Sequence, residues 1–150
     1  MGRCYTAVGT DLNTNATTIA QLIGATTIRP KISSIIIGSG ATPADQCSGY
    51  RLGRTTTAGT GGTAVTPVED DPGDPASLAT FRTADTGEPT YTANKVLIEF
   101  PVNQRATFRW VAVPGHEKII PAVASNGAGL LGVSPTAAAF TVVTTFEWEE

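Results

Sequence analysis

The alternation of hydrophobic and polar positions is clearest in the final segment of the chain, FTVVTTFEWE at residues 140–149. Every second position of this segment falls on one face: Phe140, Val142, Thr144, Phe146 and Trp148. Because successive side chains of a strand point to opposite sides of the sheet, this period of two predicts a half-buried β-strand. Phe146 is therefore predicted to be a core anchor. NKVLIEF at residues 94–100 alternates in the same way and predicts Phe100 as a second anchor.

A third alternating segment, RATFRWVAV, covers residues 105–113. Its aromatic residues Phe108 and Trp110 share one face, and Arg105 and Arg109 share the other. We predict that the aromatics are core anchors and that the arginines lie on a solvent-exposed or subunit-contact face. A base-stacking platform for nucleic acid needs aromatic and basic groups on the same exposed surface, so this segregation argues against one. The short connection PVNQ suggests a hairpin with the preceding strand.

Three further strands are predicted from short apolar runs that end in turn residues. The β-branched isoleucines at 31–37 predict a largely buried strand, and GYRLGRTTT at 49–57 predicts a strand at the margin of a sheet. EKIIPAV at 117–123 predicts a short strand. It follows the Pro114-Gly115 pair, which is typical of a type II turn.

Helical patterns are brief, since TTIAQLIG at 17–24 allows two turns and PASLATF at 75–81 allows one. Short strands without a helical layer predict an all-β fold, an antiparallel β-sandwich of jelly-roll-like type. An immunoglobulin-like sandwich is the nearest competitor. The predicted organisation is a single domain over residues 1–150, divided into an extended N-terminal arm at 1–26 and a sandwich at 27–150 with a long loop at about 55–93.

The composition limits the classes of function. The chain has 150 residues, of which 41% are hydrophobic and 15% charged, and its net charge is -3, so it has little overall attraction to phosphates or anionic lipid. The basic residues are scattered, and no run approaches the roughly 20 apolar residues of a membrane span. We therefore expect neither nucleic acid nor membrane as a partner. Cys4 and Cys47 are predicted to be buried free thiols rather than a bridge between distant strands.

Candidate catalytic and cofactor motifs are weak. His116, the only histidine, follows a predicted turn without a nucleophile signature, so it is predicted to be a turn or contact residue. GAGLLG at 127–132 matches the dinucleotide fingerprint, but Pro135 stands where the required helix would propagate, and we interpret the glycines as loop formers. The acidic VEDDPGDP at 68–75 could bind Ca²⁺, although a solvated bend is the simpler hypothesis. We expect no enzymatic activity, catalytic residue, metal or cofactor.

Five segments carry a family resemblance: SSIIIGSGATPADQ, TTTAGTGGTAVTP, DPGDPASLATF, EPTYTANKVLIEFPVNQRATFRWVAVPG and NGAGL. They span about residues 30–132, and they resemble small virion proteins of tailed phages, the capsid decoration or cement proteins. The resemblance implies a homotrimer of β-sandwich subunits that binds the major capsid protein on the outer surface of the virion head, after synthesis in the host cytoplasm. It implies no catalytic residues.

A decoration protein acts by contacting other proteins, so the predicted site consists of contact residues. We expect the segment from Tyr5 to Thr18 and the 55–93 loop to meet the capsid or neighbouring trimers, because long irregular segments often order against a partner. The individual residues predicted to make these contacts are Tyr5, Asp11, Asn13, Asn15, Arg105, Arg109 and His116.

Two other functions compete with this hypothesis. A carbohydrate-binding jelly-roll module on a virion surface is the alternative, and it would need Tyr50, Tyr91 and Trp148 as exposed aromatics on which sugars stack. An enzyme is the third hypothesis, and the sequence offers it neither a nucleophile signature nor a metal cluster.

Overall fold

The chain folds into strands joined by turns and loops. The computed structural model describes residues 2–14, 16–134 and 139–150, and this part of the chain contains no helix, so none that could cross a membrane. Its twelve strands are β1 (Cys4–Asn13), β2 (Thr18–Ile23), β3 (Lys31–Ala41), β4 (Cys47–Thr55), β5 (Thr63–Val65), β6 (Val68–Glu69), β7 (Thr80–Thr83), β8 (Tyr91–Asn103), β9 (Phe108–Val111), β10 (Lys118–Ile119), β11 (Gly127–Ser134) and β12 (Phe140–Glu149).

The strands of the described residues form two antiparallel sheets. Sheet A has the order β10-β3-β12-β1-β6, and β9 also pairs with β3, farther along the edge that β10 occupies. Sheet B has the order β5-β7-β2-β11-β4-β8. The predicted all-β, antiparallel β-sandwich is confirmed, whereas the jelly-roll subtype stays a prediction.

The core lies between the two sheets, and β12 contributes one whole face to it. Its residues alternate strictly between buried and half-buried, so the predicted inward set from Phe140 to Trp148 is confirmed. Phe81 of β7 in sheet B meets Phe146 edge-on, with ring centroids 5.3 Å apart. It also stacks on Trp148, and these aromatic contacts tie the sheets together.

The N-terminal segment is part of both sheets, which corrects the prediction of an arm at 1–26. β1 pairs with β12 along ten residues and with β6 on its other side. All six residues of β2 are buried, and the strand lies between β7 and β11. A strand buried on both faces loses the alternation of polar and apolar residues, so its sequence resembles a short helix. For this reason the predicted helical turns at 17–24 are wrong.

The segments at 94–100 and 105–113 do not form the predicted hairpin. β8 pairs with β4 in sheet B, whereas β9 pairs with β3 in sheet A, so the connection between them crosses from one sheet to the other. β4 lies between β11 and β8, which corrects its predicted place at a margin. The strand at the margin is β8, and Pro101 suits such an edge because proline lacks the N–H that an interior strand donates.

The region at about 55–93 is less irregular than predicted. It contains β5, β6 and β7, and no helical turn forms at 75–81. The carboxylate of Glu150 accepts hydrogen bonds from the backbone N–H groups of Leu78 and Ala79, each at 3.0 Å. This contact holds the loop before β7 against the end of β12.

The GAGLLG glycines are not loop formers, because they lie in β11, an interior strand of sheet B. A Cβ atom at Gly129 would overlap the hydroxyl of Tyr91, and one at Gly132 would overlap the side-chain amide of Asn13. The glycines therefore allow side chains from other segments to lie directly on the backbone of this strand.

Candidate interaction surfaces

The stretch around Trp110 forms one edge of sheet A. Phe108 and Trp110 pair with inward-pointing Ile37 and Ile35 of β3, so the predicted orientation of the aromatics is correct. Both rings are half-buried, which places them at the margin of the core and not at its centre. Phe108 packs on the similarly half-buried Phe100, with ring centroids 4.4 Å apart.

Arg109 points to the opposite side of sheet A, as predicted. Its guanidinium donates to the hydroxyl of Ser34 at 3.1 Å and to the carboxylate of Glu147 at 2.9 Å. The arginine side chain is 53% exposed, and an ion pair this accessible to water contributes at most about 1 kcal/mol to stability. The pair therefore adds little to the stability of the fold.

The outer face of sheet A, the side turned away from the core, carries exposed apolar side chains and threonines together with the ion pairs Arg109–Glu147 and Lys31–Glu149. Pairing aligns Val8 of β1 with Thr145 of β12, Thr145 with Ile36 of β3, and Ile36 with Arg109 of β9. Strand spacing makes this face about 19 Å wide, and its apolar part, from Thr6 to Leu12 along β1, is about 20 Å long. The large hydrophobic side chains exposed on it are Val8, Leu12, Val68 and Val111, with exposed fractions of 49%, 54%, 63% and 58%.

Two of the other predicted contact residues, Tyr5 and Asn13, are buried in the fold, while a third, Asp11, stays partly accessible. Tyr5 is 1% exposed and donates from its hydroxyl to the carbonyl of Pro75, and Asn13 is buried beside Tyr50. Asp11 is half-buried, and its carboxylate accepts a hydrogen bond from the N–H of Leu12. Tyr5 and Asn13 therefore cannot contact a partner in this fold, which corrects their predicted role.

The remaining predicted contact residues are at the surface where the structure describes them. Arg105 is exposed in the turn before β9. His116 is exposed beside Gly115, whose positive φ of 86° fits the predicted turn. Neither residue lies on a strand of the outer face of sheet A, so the structure does not unite the predicted set into one site. Asn15 lies outside the described residues.

The aromatics required for sugar stacking are not exposed. Tyr50 and Trp148 are 2% and 1% exposed, and Tyr91 is half-buried with its hydroxyl 2.8 Å from that of Thr18. Burial raises the pKa of Tyr50 to about 12. The carbohydrate hypothesis therefore loses the stacking surface on which it was based.

A basic cavity of about 460 Å³ opens beside β10, and it could not be predicted from the sequence because its residues come from three separate segments. Its lining consists of Arg29, Arg54, Glu117, Lys118, Ile119 and Pro121. The Arg54 guanidinium donates to the carbonyl of Ile119 at 2.8 Å, and the Lys118 ammonium lies 5.6 Å from the centre of the Trp110 ring. In the described part of the chain, the three cations of this cavity form no ion pair.

The acidic turn, residues 69–74, lies at the opposite edge of sheet A. Asp70 accepts from the hydroxyl of Thr6, and Asp74 lies 3.6 Å from the guanidinium of Arg3. Across residues 2–14, 16–134 and 139–150, no group of three or more His, Cys, Asp or Glu residues could hold a metal ion.

Both cysteines are free and exposed, which corrects the prediction of buried thiols. Desolvation by neighbouring groups raises the pKa of the Cys4 thiol, and the negative charges of Asp70, Glu149 and Asp74 raise it further. The acidic turn therefore imposes a negative field on this end of β1.

No protein-family model, curated protein or solved structure matches this chain, so the role of these surfaces is inferred from their own chemistry.

Proposed function

We propose that this chain is a non-enzymatic structural protein of a virion, a decoration protein that binds the outer surface of a phage head as a trimer and stabilises contacts between major capsid proteins. The observation that supports this proposal most is the outer face of sheet A. It presents four exposed large hydrophobic side chains on a regular sheet, and an apolar surface of this kind favours contact with protein.

The size of the outer face fits one subunit of a multivalent binder. Its dimensions correspond to an area of about 400 Å², roughly half of what one partner contributes to a standard protein interface. A single copy would therefore bind weakly. Three linked copies bind far more tightly, because the second and third contacts form at a high effective concentration.

The chemistry of the outer face also suits a protein partner. Threonines, among them Thr6 and Thr145, separate its exposed valines and Leu12. Two ion pairs on this face join Arg109 to Glu147 and Lys31 to Glu149. An interface core is typically depleted of charge while its rim stays polar. Binding the assembled head more tightly than its free subunits would shift the equilibrium towards the head.

The experiment compares two aspartate substitutions at valines of similar exposure. Val8→Asp places a charge on the outer face of sheet A, and Val96→Asp places one on β8 of sheet B, where the valine is 44% exposed. Both substitutions replace valine by aspartate within a strand, so they lower the intrinsic β-propensity by the same amount. Binding to purified particles of the virus that encodes the chain is measured by co-sedimentation and mass spectrometry.

We expect Val8→Asp to weaken particle binding at least about tenfold, as burying one unpaired charge in an interface costs more than about 1.4 kcal/mol. Val96→Asp should bind like the unmodified protein. Equal binding by all three proteins would remove the outer face from the proposal, and absence of the protein from purified particles would overturn the proposal itself.

A further inference from the structure

We propose that copies of this chain associate head to tail, with the acidic turn of one copy lying in the basic cavity of the next. This contact rests on the proposed function in one respect: the proposed trimer also requires copies of the chain to associate. One copy meets another through these two charged surfaces, and the acidic turn adjoins the outer face of sheet A, where Asp70 accepts a hydrogen bond from Thr6.

The two features lie at the same level on opposite edges of sheet A. Ile119 of β10 pairs with Lys31 of β3, Lys31 with Glu149 of β12, and Glu149 with Cys4 of β1. The N–H of Asp70 then donates to the carbonyl of Cys4 at 2.9 Å. Four strand spacings separate the two ends of this row, a distance of about 19 Å.

This separation prevents the acidic turn from reaching the basic cavity of its own chain. The two edges point in opposite directions across the sheet. Each copy therefore offers its acidic turn to one neighbour and its basic cavity to the other. A contact between two different surfaces, repeated from copy to copy, generates a ring when the rotation closes. A ring of three copies is the trimer of the proposed function.

The charges of the two surfaces are complementary and mostly uncompensated. Within the described residues, Asp74 is the acidic-turn residue that forms an ion pair, while Glu69, Asp70 and Asp71 form none. The basic cavity carries three cations against the single carboxylate of Glu117. When two surfaces of opposite charge meet, the charges select the partner and fix its orientation. We assign this role to the acidic turn and the basic cavity.

The test reverses the charge of each surface separately and then of both together. The base-reversed protein carries Arg29→Glu and Lys118→Glu, and it keeps Arg54 because that guanidinium is bonded to the backbone. The acid-reversed protein carries Asp70→Lys and Asp71→Lys, both at exposed positions. The doubly reversed protein carries all four substitutions, so its surfaces are again complementary with the signs exchanged.

Association is measured by native mass spectrometry and sedimentation equilibrium. We expect each singly reversed protein to associate at least about tenfold more weakly than the unmodified chain, and the doubly reversed protein to regain most of that loss. Association of the unmodified chain should also weaken as salt rises from about 0.05 to 0.5 M, because ions screen exposed charges.

A monomeric unmodified chain would overturn the proposal, as would singly reversed proteins that associate normally. A folded doubly reversed protein that stays monomeric would also overturn it. Circular dichroism checks folding, and the milder pairs Arg29→Gln with Lys118→Gln and Asp70→Asn with Asp71→Asn replace any reversal that unfolds the chain. These neutral pairs should weaken association in the same direction.

The two proposals fail in different ways. Charge-dependent association of a protein that does not bind particles would contradict the virion function and leave the head-to-tail contact standing. Particle binding by a protein whose association ignores charge reversal would contradict the contact and leave the virion function standing.

Discussion

Phe81 lies almost parallel to Trp148, with the ring planes 8° apart and the centroids separated by 6.3 Å. The two residues belong to different sheets, since Phe81 is in β7 of sheet B and Trp148 is in β12 of sheet A. Each side chain is at most 1% exposed. Their contact therefore makes the 55–93 region part of the core, although that region has little apolar periodicity.

Removing the Phe81 ring should destabilise the protein severely. We expect Phe81→Ala to lower the free energy of unfolding by about 3–5 kcal/mol, because it leaves a cavity between the sheets. Urea unfolding followed by tryptophan fluorescence measures the change. Phe108→Ala is the matched control and should cost clearly less, since Phe108 is already half-buried. Equal losses for the two variants would contradict the central position of Phe81.

Deleting residues 1–15 should unfold the chain. The deletion removes β1, which separates β12 from β6 and carries buried Tyr5 and Ala7. Its loss exposes a long edge of β12 and opens the core. Circular dichroism and proteolysis should show an unfolded or aggregated product, whereas a deletion of residues 1–2 alone, which spares β1, should remain folded. A folded and soluble product from the longer deletion would show that the segment is a detachable arm after all.

A methyl group at Gly129 should be poorly tolerated. Gly129→Ala displaces the Tyr91 hydroxyl and so disturbs its hydrogen bond with Thr18, and overpacking of this kind costs about 1–3 kcal/mol. Gly73→Ala is the control, because Gly73 lies in the exposed acidic turn and meets only the flexible end of Asp71. Thermal unfolding midpoints of the two variants make the comparison, and no difference between them would refute the assignment of a packing role to Gly129.

The protein should lose stability at alkaline pH. Burial raises the pKa of Tyr50 to about 12, compared with about 10 for an exposed tyrosine. Between pH 10 and 12 the unfolded chain releases this proton while the folded chain retains it, so stability falls as pH rises, by about 1.4 kcal/mol per pH unit. Burial raises the pKa of Tyr91 in the same direction.

Urea unfolding at several pH values from 9 to 12 measures this dependence. The Tyr50→Phe variant removes one of the titrating groups, so its stability should fall less steeply. Tyrosinate absorbance of the folded protein provides an independent check. A titration of all three tyrosines that is complete near pH 10 would contradict the burial of Tyr50.

Local sequence determined the strands that keep one face in the core. β12 is predicted by its period of two, because a strand with one buried and one accessible face must alternate. The inward orientation of Phe108 and Trp110 follows from the same rule, but the extent to which their side chains are buried does not. The burial of a side chain depends on the residues that pack against it, and those residues come from distant parts of the chain.

Only the tertiary structure decided which strands pair and which surfaces form. β2 is buried on both faces and has no alternation, so nothing in its sequence distinguishes it from a helix or an arm. The basic cavity joins Arg29 and Arg54 of one part of the chain to Lys118 of another, and its acidic counterpart lies four strand spacings away in the same sheet. Alternation is a property of neighbouring residues and is visible in sequence, whereas pairing and charge placement depend on contacts between residues far apart in the chain.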